Sequence, residues 1–496
     1  MSERTSTVRA PEGAAPAVNP WPALWAMVIG FFMILVDTTI VSVANPAIKA
    51  ALDPSTGNLD NVVWVTSSYL LAYAVPLLVT GRLGDRFGPK NIYLIGLAIF
   101  TIASLACGLS GSLAVLVIAR AVQGLGAALM TPQTMAVITR TFPAERRGAA
   151  MGLWGATAGV ATLVGPLAGG LLVDGFGWEW IFFVNIPVGV VAFALAWRLV
   201  PQLETHPHRF DVVGVVLSAI GLFLIVFGLQ EGEHYEWAAG IWAMIGAGVV
   251  VMAVFVWTQG RTKSEPLVPL ELFRDRNFAI SNLAIAAVGF TVTSMALPMA
   301  FFTQLARGLT PTQSALLLVP MAVLSGALAP LAGRILDRVD PRLLLVPGLT
   351  LMVLGLVGYA LLMNTEAPVL LLLIPAAIIG VANAGMWGPL ATTATRNLPP
   401  RQAGAGSGIY NTTRTVGSVI GSAAIAAYMQ SRLTANLPGA GDAAGGDFGG
   451  GGAMPPAIAE GFSAAMAQAM ILPAIVIGVA VIVVIFLKRP AHLVRR

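Results

Sequence analysis

Asp37 stands alone in a long apolar stretch, "WAMVIGFFMILVDTTIVSVANP" from Trp25 to Pro46. It is the one acidic residue that the sequence sets firmly inside a run of lipid-spanning length. Such a carboxyl group is costly to bury, so it faces the protein interior or a water-filled cavity. The chemistry open to it is reversible protonation, steered by whatever cation lies nearby. The alternative is a polar strut bonded to Thr38 or another neighbour. Arg120 is a second lone charge, in "VLVIARAVQ" from Val115 to Gln123. A buried arginine needs partners. Its depth, several residues from the outer end of its helix, is similar to that of Asp37. Gln123 lies three residues on and shares a helix face with it. Pinning one helix against another is the overlapping structural reading. A third polar cluster, Tyr410, Asn411 and Arg414, sits in "YNTTRTVGS". In lipid such a cluster points inward. Substrate contact, gating and helix packing are all open to it.

Two charged turns complete the set of reactive-looking residues. "GRLGDRFGPK" runs from Gly81 to Lys90, and "GRILDRVDPR" from Gly333 to Arg342. Asp85 and Asp337 occupy equivalent places in them. An aspartate there can accept hydrogen bonds from a helix N-terminus, and Gly81 permits close backbone approach. Arg86 follows Asp85, with topology-setting charge as the plain alternative.

These residues need elements to hold them, and the composition says which. The 496 residues are 57% hydrophobic and only 10% charged, with mean hydropathy +0.82. That is too little charge to cover a water-facing surface. Apolar runs near the length that crosses a bilayer recur along the chain. The pattern predicts an all-α integral membrane protein with 14 transmembrane helices. Their cores lie near 24–44, 62–80, 91–110, 113–137, 149–171, 181–200, 211–230, 238–258, 277–301, 313–332, 343–363, 368–394, 404–430 and 465–487. With the N-terminus in the cytoplasm, only Lys49, Arg307 and Arg432 among the 28 lysines and arginines fall in outer segments, while Arg120 and Arg414 lie inside helices. This bias sets both termini in the cytoplasm of a multi-pass plasma or inner-membrane protein. It also disposes of nucleic acid as the partner of the net charge of +5, because the basic residues are scattered over separate short loops. The remaining partners are membrane lipids.

The turns belong to a larger repeat. Arg140, Pro143, Gly148 and Gly152 match Arg396, Pro399, Gly404 and Gly408 at nearly the spacing of the two turns. The repeat shifts by an even number of helices, so both copies face the same way across the membrane. The expected organisation is a disordered cytoplasmic segment over 1–22, a six-helix bundle over 23–200, and a linker with two additional helices over 201–276. A second six-helix bundle covers 277–487 and contains a flexible extracellular glycine-rich loop, 432–464. A cytoplasmic tail covers 488–496. The position matched to Arg414 is Ala158, so the symmetry is broken there.

With these motifs in order, the chain resembles a major facilitator superfamily transporter of the fourteen-span drug:proton antiporter group. The turn at Gly81–Lys90 resembles the family's motif between helices 2 and 3. "VDTTIVSVANP" from Val36, "RAVQGLGAA" from Arg120, "GPLAGG" from Gly165 and "WEWIFFVNIPVG" from Trp178 resemble others. Asn45 departs from the leucine that many relatives carry. The resemblance implies the two-bundle major facilitator fold and alternating access. It implies export of small molecules against protons, with Asp37 and Arg120 in proton coupling. Gly81, Asp85 and Arg86 would form a latch, with Asp337 as its counterpart. Gly159, Gly165, Pro166, Gly169 and Gly170 would form an antiporter motif.

The expected substrate cavity is softer in outline. Its candidates are Tyr69, Tyr73, Gln123, Met130, Gln133 and Trp154 in the first half. The second half adds Met299, Phe302, Asn383, Trp387, Tyr410, Asn411 and Arg414. Aromatic and methionine side chains re-pack around varied apolar or cationic molecules, yet the same residues fill membrane cores. Helix 10 carries no carboxylate, which points to neutral or monovalent compounds over dications. A dedicated exporter of one endogenous metabolite, self-made antibiotic or lipid is the alternative. No phosphate-cradling loop, metal set or enzymatic motif is present in the sequence, so no cofactor is expected. A monomer is expected.

Overall fold

The computed structural model describes residues 19–52, 60–143, 146–205, 211–232, 234–262, 266–437 and 456–488. Most of the expected N-terminal segment, the middle of the glycine-rich loop (438–455) and the tail from 489 lie outside the described residues. The described chain is helical almost throughout. A helix satisfies its own backbone N–H and C=O groups, which lipid cannot do.

The first half contains α1 (Trp21–Leu52), α2 (Asp60–Ala74), α3 (Leu77–Phe87), α4 (Pro89–Gly108), α5 (Leu113–Thr141), α6 (Arg147–Phe176), α7 (Trp180–Phe183) and α8 (Asn185–Leu199). A pair follows, α9 (Val212–Glu231) and α10 (Ala239–Arg261). The second half contains α11 (Arg276–Phe301), α12 (Pro311–Leu316), α13 (Val319–Leu336), α14 (Arg342–Leu362), α15 (Leu373–Thr395), α16 (Ala403–Asn436), α17 (Pro456–Ala469) and α18 (Ile471–Val484). Helices of each half pack mainly on one another: α4 on α5 and α8, α1 on α6 and α8, α11 on α16 and α18, α14 on α15. The halves meet where α6 packs on α13 and α15, and where α3 and α5 pack on α16. The pair α9–α10 packs chiefly on itself, with α9 lying against both α2 and α16.

Among the described residues, 12 helices are long and apolar enough to cross a membrane, or 13 if α2 and α3 form one span bent by 46°. The expected count of 14 is met to that extent by length and composition. The helix over 404–430 is present, but its first half, with Tyr410, Asn411, Thr412, Thr413, Arg414 and Thr415, is too polar to qualify. The bend between α2 and α3 falls at Pro76, which lacks the N–H that would continue the ladder. The glycine-rich loop is also shorter than expected. The helix α16 runs to Asn436 and α17 starts at Pro456, so both flanks of 432–464 are helical.

The two charged turns differ in backbone as well as in sequence. Gly88 joins α3 to α4 with φ +88°, a conformation that other L residues rarely adopt. Asp340 stands at the equivalent place in the second turn and solves the corner differently. Its Oδ1 accepts a hydrogen bond from the Arg342 N–H at 3.1 Å.

Candidate functional site

Asp37 is fully buried midway along α1. Arg120 on α5 reaches it with Nη1, 2.6 Å from Oδ2. The same Nη1 donates to Gln123 Oε1 at 2.6 Å, and Nε donates to the Val65 carbonyl at 3.0 Å. Gln123 donates to Asp37 Oδ1 at 3.0 Å and to Ser104 Oγ at 2.7 Å. Asn185, at the start of α8, donates to the same Asp37 oxygen at 3.1 Å. Thr38 is not the partner of Asp37: its hydroxyl bonds to the Leu35 carbonyl at 2.7 Å. The guanidinium of Arg120 lies 4.1 Å from the Tyr69 ring centroid and 5.8 Å from that of Phe182. These partners all come from the first half. A buried ion pair with its remaining lone pairs occupied is tolerable, whereas removing one partner leaves a stranded charge.

At the turns, each aspartate crosses to the other half. Asp85 accepts from the N–H groups of Gly404 and Ala405, both at 2.9 Å, at the N-terminus of α16. Asp337 accepts from Gly148 N–H at 2.9 Å, at the N-terminus of α6. Each is a carboxylate on the positive end of a helix dipole. The backbones touch closely enough that a Cβ on Gly81 would meet the Gly404 carbonyl, and one on Gly333 the Gly148 carbonyl. Arg86 lies with its guanidinium 5.1 Å from the Phe87 ring. The halves are therefore joined at the face carrying the turns.

Beyond that closure lies a cavity of about 350 Å³. Its lining includes Gly159 and Pro166 of α6, Met299 of α11, Tyr359 of α14, and Asn383 and Trp387 of α15. Among the described residues, no Asp, Glu, Lys, Arg or His belongs to the lining. Its polar groups are few. The hydroxyls of Tyr359 and Ser314 are buried with no hydrogen-bond partner, and Trp387 donates to Asn383 Oδ1 at 3.3 Å. Gly165 packs against Thr39 of α1, so that a Cβ there would meet the Thr39 hydroxyl. Thr39 also lines the cavity. Gly169 is buried, and a Cβ on Gly170 would lie 4.0 Å from Thr312.

The Major Facilitator Superfamily model matches residues 27–422. The chain belongs to the Major Facilitator Superfamily. This facilitator is 52% identical to an uncharacterised MFS-type transporter of Mycobacterium tuberculosis, over 97% of this chain and 83% of that protein. It is 34% identical to the tetracenomycin C resistance and export protein of Streptomyces glaucescens, over 86% of this chain and 80% of that one. Among solved structures it superposes on the proton:xylose symporter XylE with TM-score 0.63 at 16% identity, covering 95% of this chain and 96% of that one. At that identity the likeness is one of fold. The facilitator is a multi-pass membrane transport protein, and no group of three His, Cys, Asp or Glu among the described residues could hold a metal ion.

The facilitator's cavity takes up only part of the expected substrate set. Met299, Asn383 and Trp387 line it. Gln123 instead joins the Asp37 network, and Tyr69 lies under Arg120. Gln133 donates to the Thr80 carbonyl at 2.8 Å, beside Gly84. Trp154 stacks on Phe31 with centroids 4.8 Å apart. Met130 packs near Gly30 and Gly96, and Phe302 is buried in the main apolar core. Tyr410 is fully buried, and Asn411 donates to the Ser407 carbonyl at 2.9 Å. Tyr73 and Arg414 meet each other across the halves at 3.2 Å. Asn185 and Tyr359 were missed by sequence reasoning.

The turn geometry yields an expected result. In Asp85→Asn one side-chain oxygen becomes an amide donor and opposes a backbone N–H of Gly404 or Ala405. Hydrogen bonds to a charged group contribute about 1.5–3 kcal/mol, so the closed form at this face should weaken by roughly ten- to hundredfold. Cysteine accessibility at the turn face measures this. An accessibility equal to the parent's would show that Asp85 does not hold the closure.

Proposed function

We propose that this protein is a proton-coupled antiporter that exports uncharged or weakly charged apolar small molecules by alternating access. The observation that carries the reading is a division of labour. A buried Asp37–Arg120 pair lies wholly within the first half, while a separate cavity without charged side chains lies largely among helices of the second. A carboxylate sealed by three donors is suited to holding or losing one proton. A cavity lined by Met, Trp and Tyr is suited to molecules that bury apolar surface and make one or two hydrogen bonds. The buried, unpartnered hydroxyls of Tyr359 and Ser314 are ready for such bonds.

The rest of the reading follows the chain's pattern. We propose 14 spans, counting the polar α16 as one, arranged as two six-helix bundles with α9–α10 as the additional pair. Both termini lie in the cytoplasm. The turns then mark the cytoplasmic side, the present state is closed there, and Gly81, Asp85, Arg86 and Asp337 form the latch. The glycines of α6 with Pro166 give a slidable contact between halves. The resistance and export named for the Streptomyces relative supports export, and it also favours a second reading, a dedicated exporter of one natural product.

Proteoliposomes test the function. An imposed pH gradient should drive accumulation of a neutral apolar probe, and a protonophore should abolish it. A panel comparing neutral, monocationic and dicationic dyes should rank neutral compounds first. Accumulation indifferent to the pH gradient would sink the antiport reading, and a preference for dications would sink the substrate class.

A further inference from the structure

A continuous chain of contacts leads from the buried pair to the boundary between halves. The Arg120 guanidinium lies over the Tyr69 ring, 4.1 Å from its centroid. Tyr69 is stacked on Tyr73, with centroids 6.2 Å apart and planes 4° from parallel. The Tyr73 hydroxyl donates to Thr131 Oγ1 at 3.3 Å and accepts from Arg414 Nη2 at 3.2 Å. Tyr73 stands one residue before the end of α2, next to the bend at Pro76. Below it, α3 packs on α16, where a Cβ on Gly408 would meet the carbonyls of Leu77 and Leu78. The Tyr73–Arg414 bond thus caps the contact that closes the turn face.

We infer that Tyr69, Tyr73 and Arg414 are positioning residues that carry the ionisation state of Asp37 to this inter-half contact. The inference rests on the proton-antiport reading and adds the step by which a proton unlocks the halves. With Asp37 ionised, Arg120 is held by its countercharge and the tyrosine stack stays in register. A proton from the aqueous phase, added to the Asp37 carboxylate, gives a neutral acid and leaves Arg120 without a countercharge. Its Nη2 already lacks a hydrogen-bond partner. The cation then draws harder on the Tyr69 face, and the stack moves with it. Tyr73 cannot follow and also keep its hydroxyl on Arg414. Arg414 has little else to hold it: its Nε is buried without a partner, and among the described residues no carboxylate pairs with it. Losing Tyr73 favours separation of α2 from α16, which opens the turn face.

The repeat supports a one-sided device. Pro46 and Pro298 fall at the spacing of the two turns, which sets Asp37 opposite Gly289. Gly289 packs against the Arg414 backbone, where a Cβ would meet the Arg414 carbonyl. Arg414 is itself opposite Ala158. One half therefore carries the acid and the other carries the arginine that senses it. The titratable and charged groups facing Asp37 are Arg120 of α5, Tyr69 of α2 and Cys107 of α4, and those facing Arg414 are Tyr73 of α2 and Tyr410 of its own helix. Among the described residues, none of these other facing groups is a carboxylic acid.

The test uses the full chain in nanodiscs, with Cys107→Ser and spin labels at Asn91→Cys and Arg401→Cys, two exposed positions in opposite halves. In the parent, lowering the pH should shift the label distances toward a separated turn face. Tyr73→Phe keeps the stack and removes the hydroxyl. It should populate the separated form at a pH where the parent is closed. Uphill accumulation should fall by about tenfold, the scale of a typical coupling between sites, while downhill exchange of the neutral probe continues. Arg414→Gln should do the same, and adding it to Tyr73→Phe should cost nothing more. Arg414→Lys, which keeps the charge on a flexible stem, should recover part of the pH response. Parent-like distances and pumping in Tyr73→Phe, or additive losses in the double variant, would overturn the relay. Asp37→Asn is the companion arm. If its distances still respond to pH as the parent's do, proton coupling at Asp37 fails, and the relay with it. If they do not respond while Tyr73→Phe behaves as the parent, the relay alone fails.

Discussion

Asp37→Asn is expected to abolish uphill transport while leaving substrate binding in place. The membrane potential supplies about 2.3 kcal/mol per charge per 100 mV. One proton at that potential drives roughly a fiftyfold gradient of a neutral compound, since each 1.4 kcal/mol is a factor of ten. The variant should collapse this to equality across the membrane. Substrate-induced proton release should vanish too. The geometry adds a second effect. Asp37 Oδ1 accepts from Gln123 and Asn185, and Oδ2 accepts from Arg120. An asparagine has one acceptor oxygen, so its NH2 must oppose either the guanidinium or the two amides. Gln123 cannot simply flip, because its own Oε1 accepts from Arg120. Some loss of stability is therefore expected, and transport must be compared at matched protein level. Asp37→Glu is the control: it keeps a titratable group and should retain part of the coupling. Accumulation by Asp37→Asn at the parent rate would show that another acid does the coupling.

How much of this could be read from the sequence depends on the kind of residue. Charges inside apolar runs are legible because lipid forbids them without a partner. Asp37 and Arg120 declared themselves in this way, and their pairing at 2.6 Å follows from similar depth. Asp85 and Asp337 were legible through the repeat, since duplicated corners must make duplicated contacts. Asn185 gave no such signal: an uncharged amide at a helix start reads as an end-group. The cavity was the least legible part. On a helix that is apolar all round, periodicity does not tell the face toward a cavity from the face toward a neighbour. Trp154 and Phe302 are thus expected at the substrate but do not belong to the lining of this cavity, whereas Met299 and Trp387 of the same apolar core do. Tyr359, one aromatic in an apolar helix, was overlooked for the same reason. Arg414 was legible as inward-facing, but its partner Tyr73 lies in the other half, and no spacing rule links them. The polar run that marked it also takes α16 out of the helices apolar enough to count as spans.

Arg120→Ala is expected to be more damaging to the fold than Asp37→Asn, because it leaves a buried carboxylate with only two amide donors. Removing one partner of a buried pair costs about 3–5 kcal/mol, and Arg120 also gives up its bond to the Val65 carbonyl and its place on Tyr69. The variant should unfold at lower temperature in detergent, with transport lost along with the fold. Arg120→Lys should be intermediate. An ammonium group restores the charge, but as a point donor it cannot reproduce the several directed hydrogen bonds of the planar guanidinium. The informative variant removes both charges. Replacing a buried ion pair by apolar residues of similar volume is often neutral or stabilising, so Asp37→Leu with Arg120→Met should recover most of the thermal stability lost in Arg120→Ala. It should recover none of the proton-driven accumulation. That split separates a pair kept for packing from a pair kept for coupling. If the double variant remains as unstable as Arg120→Ala, the stranded charge is not the cause of the loss. If it pumps uphill, the proton is carried elsewhere and the buried pair is a strut.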